Sequence, residues 1–184
     1  EPAKPDVNTI FDAEKEAKIE SLSGLTIKEA VEQLKGTEFV INADFLNKAI
    51  FLAFRDRING TIAFSLNGLA SQSKANEIFI FKKILQVFPE DSIPEIEKQY
   101  KLSTPAVKNN LLQILGTMAG IEARNILTAA LDDRTFCEEE NPEMEGEPMR
   151  ICDVAYNQLV LRYQIKDVLR TIGPIHTLEQ RDYH

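Results

Sequence analysis

The sequence has no tryptophan, and only two histidines and two cysteines in 184 residues. The cysteines, Cys137 and Cys152, make no disulfide scaffold and match no zinc-ligand spacing. The imidazoles are His176 and the terminal His184, so no pattern places a base beside a cysteine nucleophile. Glycine-rich phosphate loops are missing. These absences predict a chain with no catalytic residue, no cofactor and no resident metal: not an enzyme. Eight glycines and eight prolines exclude a collagen-like or low-complexity chain. A basic excess is missing too. Lys and Arg number 21 against 29 Asp and Glu, for a net charge of −8, and Lys82-Lys83 is the one adjacent basic pair. Phosphate contacts supply most nucleic-acid affinity, so nucleic acid is not expected as a partner. Anionic lipid would be repelled as well. No apolar run approaches the ~18 residues of a membrane helix. The run from Ala49 to Phe54 stops at Arg55, Asp56 and Arg57.

What is present is a succession of helical signals. Residues 1–21 are polar, with scattered Val7, Ile10 and Phe11, and are expected to be flexible, extended or frayed. Their start, Glu1-Pro-Ala-Lys-Pro-Asp6, fits a chain exported to the periplasm or cell envelope, or lipid-anchored there, as well as a cytoplasmic one. Thr26 and Glu29 form a capping-box pattern before Ile27, Ala30, Val31 and Leu34. Gly36 is placed as the terminating glycine of that helix. Residues 44–57 are apolar around most of a helix's girth and should be buried. Asn59-Gly60 reads as a break. Helices follow over 62–69, 74–87, from Pro94 to Tyr100, 105–118, 121–131, 148–163 and 166–172, with one more starting after Ile175. No alternating strand pattern with hairpin turns appears. The phenylalanines sit at helical spacing among aliphatics and read as core.

The most apolar helices start near residues 44, 74, 105 and 149. The first two intervals are about 30 residues, and the last becomes so once the irregular stretch 132–147 is set aside. A fixed period with one inserted loop marks stacked helix pairs, each unable to bury both faces alone. Ile121–Asp133 resembles the first helix of a HEAT repeat ending in its turn aspartate. Pro105, Val107, Lys108, Leu111, Leu115 and Gly116 resemble a HEAT second helix. Pro148–Leu159 is similar, with Arg150 one place closer to the proline. The resemblance to HEAT-like, armadillo-type repeats is clearest over 92–163. It implies an all-α fold, a right-handed α-α superhelix of antiparallel helix pairs over 22–184, with an acidic loop inserted at 132–147. It also implies a protein-binding scaffold whose partner is a protein or peptide, with a second copy meeting the solenoid end as a further candidate.

Two features of the insertion carry candidate chemistry. Glu138, Glu139, Glu140, Glu143, Glu145 and Glu147 make it acidic. It reads as a solvated docking loop; the alternative is a metal-binding loop on an enzyme-accessory protein, although no EF-hand spacing is present. Cys137 and Cys152 flank it, and a disulfide there would close a loop worth about 3 kcal/mol of chain entropy. A structural domain of the cell envelope is the remaining reading. Asp132-Asp133-Arg134 is placed as a turn cap, and Asp153 as a structural residue inside a helix.

Overall fold

The computed structural model describes residues 7–71, 73–138, 146–164 and 171–182, with side chains from residue 13 onward. Among these residues the chain is all-α: eleven helices, one 3-10 turn and no strand. The sequence reading took 22–184 as one repeat domain. The chain falls into two compact units, Glu1–Gly68 with Ser73–Phe88, and Leu69–Gln72 with Pro89–His184.

In the first unit, α1 (Val7–Ser23) packs along α4 (Ala43–Phe54), which also meets α2 (Ile27–Leu34), α3 (Thr37–Val40) and α6 (Ala75–Val87). The girdle of apolar residues predicted for α4 explains this central place: Leu46, Ala49, Ile50, Ala53 and Phe54 are all buried. A helix stands where residues up to 21 were expected to be extended or frayed, and it buries Ile19 and Leu22. Pairings along it run in step, Glu16 with Lys48 and Leu22 with Arg57, so α1 and α4 point the same way. Arg57, just past α4, donates to the carbonyls of Leu22, Leu25 and Ala53. A cation thereby satisfies carbonyls that the end of α1 leaves open.

Local signals held at some boundaries and failed at others. The capping box forms as read: Thr26 accepts from Glu29 N at 3.2 Å, and Glu29 accepts from Thr26 N at 2.9 Å. Gly36 is not a left-handed terminator. Its φ is −61°, and it opens α3 while Lys35 closes α2. Asn59-Gly60 does not break the chain. Both lie in the first turn of α5 (Ile58–Ala70), and the break falls at residues 55–57. A Cβ on Gly60 would sit 3.4 Å from Ile27 Cδ1, so the glycine lets α2 pack close. Phe39 and Phe54 are core as expected, but Phe51 and Phe79 are partly exposed at 48% and 38%.

In the second unit, α7 (Pro89–Leu102) and α8 (Pro105–Thr117) are joined by Ser103-Thr104, and α9 (Ile121–Ala129) runs into a 3-10 turn at Ala130–Asp132. After the insertion come α10 (Ile151–Arg162) and α11 (Leu178–Asp182). Pro105 starts α8 as read. Pro94 does not sit in a first turn: α7 begins at Pro89, so Pro94 lies inside it and that helix lacks one backbone donor. Gly120 enters α9 at φ +112°, a conformation costly for any residue with a Cβ. α8 packs most extensively against α10 and also meets α7 and α9, while α9 meets α7 and α10. At one end, Gly116 lies so near Gln158 that a Cβ would fall 2.9 Å from its Cβ. There Arg162 donates to the carbonyls of Leu115, Met118 and Gly120. At the other end, residues 135–137 border the starts of both helices. α8 and α10 are therefore parallel neighbours. The helix predicted over 166–172 lies largely outside the described residues.

Candidate functional site: a cleft beside a buried charge network

The turn after α9 is organised by Asp133. Its Oδ1 accepts from Thr135 N at 3.0 Å, its Oδ2 faces Lys108 Nζ at 3.3 Å, and its carbonyl accepts from Cys152 N at 2.8 Å. This is the turn-capping role read from the sequence. Burial pushes the carboxyl's pKa up, but the Thr135 bonds and Lys108 more than offset that and hold it below its usual range.

Beside this turn, α7 and α9 enclose a cleft of about 390 Å³. Tyr100, Ile126, Ala129 and Ala130 supply its apolar surface, and Glu97, Lys101, Glu122 and Asp133 its charge. The Lys108 ammonium lies 5.1 Å from the Tyr100 ring centroid. Tyr100 Oη is buried and has no hydrogen-bond partner in the protein. Burial first, and then the negative charge of Asp133, push the Tyr100 pKa up to about 12, so the phenol keeps its proton. A second, more open concavity of about 770 Å³ runs from Thr104–Ala106 to Thr135–Glu138.

The insertion leaves and re-enters the fold through a short antiparallel neck. Phe136 pairs with Arg150, Cys137 N donates to Met149 O at 2.8 Å, and Ile151 N donates to Thr135 O at 2.9 Å. The neck puts Cys137 and Cys152 on neighbouring segments, both buried and both thiols in this structure. Burial, ahead of the negative charge around it, pushes Cys137 up to about 12, and burial likewise raises Cys152. Neither is an activated nucleophile. Of the acidic docking loop, Glu138 and Glu147 are exposed at its two ends, whereas Glu139, Glu140, Glu143 and Glu145 lie outside the described residues. No group of three or more metal-ligating side chains occurs among the described residues.

A buried ion network holds the base of the insertion. Asp153 receives Arg150 Nη2 at 2.8 Å, Arg150 N at 3.0 Å and Arg181 Nη1 at 3.0 Å. Arg181, whose side chain is 0% exposed, also donates to the carbonyls of Glu147, Pro148 and His176. Arg150 reaches Asp182, which Arg134 also contacts. Burial alone would raise the Asp153 pKa, but Arg150 and Arg181 bring it below the usual range. The sequence reading placed Asp153 as structural and missed both arginines. The spacing of Arg150 and Asp153 was a usable signal, since residues three apart on a helix meet. Arg181 had none.

No described helix is long and apolar enough to cross a membrane. Comparisons with family models, curated proteins and solved structures gave no match.

Proposed function

We propose that the chain is a non-enzymatic protein-binding module of HEAT-like helix pairs. The observation that carries this is the order of the second unit: α8 lies parallel to α10, and α7 faces α9 across an open cleft. Helices two apart in sequence thus pack as equivalent members of successive pairs, the relation a stack of hairpins requires. The buried side chains serve packing, while the cleft mixes apolar and charged groups at a solvent boundary, as binding surfaces do. The net charge of −8 favours a protein or peptide over nucleic acid. A second copy is the alternative occupant.

The test is quantitative reconstitution. Partners crosslinked to the full chain in native extract are purified singly and titrated against it by calorimetry, and sedimentation reads self-association. A specific complex with a dissociation constant in the micromolar range or tighter is expected. No complex with any captured protein and no self-association, together with catalytic turnover by the purified chain, would reject the proposal.

A further inference from the structure

Three features of the cleft between α7 and α9 select an occupant. Its wall presents three carboxylates, Glu97, Glu122 and Asp133, against one ammonium, Lys101. Lys101 is held by Glu97 at 3.0 Å, and Lys108 by Asp133 at 3.3 Å, whereas Glu122 forms no ion pair among the described residues. Between these charges, Ile126 and Ala129 offer an apolar floor. The phenol of Tyr100 adds a buried oxygen without a hydrogen-bond partner.

We propose that this cleft receives an arginine side chain presented by an extended segment of a partner protein. This rests on the protein-binding reading above and names its partner chemistry. An arginine combines a long apolar stem with a planar head of five N–H donors and no acceptor. The stem covers Ile126 and Ala129. The head finds the unpaired Glu122 carboxylate, and its remaining donors can use free lone pairs of Tyr100 Oη and Asp133. Lys108 stands over the face of the Tyr100 ring with its charge turned to Asp133, so the cation's favourable end is the Glu122 side. The volume of about 390 Å³ leaves room for flanking backbone. The chain's net charge of −8 speeds encounter with a basic partner.

The probe is a blocked pentapeptide with one central arginine, and its control is the same peptide with glutamate there. Each is titrated into the ¹⁵N-labelled full chain. The arginine peptide should give saturable amide shifts at Glu122, Asn125, Ala129 and Asp133, weakening as salt is added. Glu122→Lys should weaken binding at least tenfold, and Tyr100→Phe by a few-fold. Glu122 is exposed, so its substitution leaves the fold intact, and unchanged shifts elsewhere verify this. Equal response to the glutamate peptide, an unaltered affinity in Glu122→Lys, or shifts confined to other surfaces would overturn the inference. A reconstituted partner whose binding ignores Glu122→Lys would remove the arginine site and keep the binding module. Peptide binding at the cleft without any protein partner would do the reverse.

Discussion

Removing Arg181 should unfasten the end of the second unit. Its guanidinium is fully buried and serves four acceptors: Asp153 Oδ2 at 3.0 Å and the carbonyls of Glu147 at 2.6 Å, Pro148 at 2.7 Å and His176 at 3.0 Å. Arg181→Ala deletes one partner of a buried pair, which typically costs about 3–5 kcal/mol because the other charge stays desolvated. Asp153 keeps Arg150, whose Nε and Nη2 both reach it, so the lower end applies. The freed carbonyls of Glu147 and Pro148 lie near an exposed stretch and regain water. The expected loss is therefore about 3 kcal/mol, a large share of the ~5–15 kcal/mol that holds a typical domain. Urea unfolding followed by circular dichroism measures it, with Arg181→Lys as the comparator. Lysine restores charge but not the fork that reaches several acceptors at once, so it should recover less than half the loss. Hydrogen exchange should show protection lost at residues 150–154 and 178–182 first. A loss under about 1 kcal/mol, the value of an exposed ion pair, with protection intact would refute the reasoning.

The same network sets a pH response. The folded pKa of Asp153 lies below its unfolded value of about 3.9. Its contribution is therefore complete above that value and is lost as pH falls through the folded one. Melting temperature should hold from pH 7 to 5 and fall below about pH 4, and Asp153→Asn should flatten the acid limb; an unchanged limb would count against the assignment. Gly116→Ala should destabilise by about 1–3 kcal/mol, because its Cβ would fall 2.0 Å from Gln158 Oε1 and 2.9 Å from Gln158 Cβ. Adding Gln158→Ala should recover part of that loss, and no recovery would place the strain elsewhere. In the folded, reduced protein, Cys137 and Cys152 should resist alkylation at pH 8, since both are buried with raised pKa values. The proposed disulfide lowers the mass of non-reduced protein by two hydrogens. Two thiols alkylated after unfolding without reductant would exclude it.

Short-range chemistry in the sequence was readable wherever one residue decides the outcome. The Thr26–Glu29 box, Pro105 at a helix start and the buried α4 are of that kind. Gly60 misled because packing overrides propensity: a glycine that weakens an isolated helix also clears the approach of Ile27. α1 was missed because its buried anchors, Ile19 and Leu22, sit within a highly charged stretch and gain meaning only against α4. The cleft needs α7 and α9 side by side, and Arg181 meets Asp153 across 28 residues of chain. Neither leaves a periodic trace, since a pairing made by tertiary packing imposes no local spacing.

The neck at Phe136 and Arg150 has a further consequence, for how this chain can change. Backbone bonds at the entry and exit fix the register of α10 whatever lies between them. The entropy of closing a loop grows only with the logarithm of its length, so doubling the segment costs about 0.6 kcal/mol. Residues 138–148 are thus a permissive address in the molecule. Foreign sequence spliced there, such as an epitope or a reporter, should leave the flanking helices in place, and natural variation in this protein has its freest ground at the same spot.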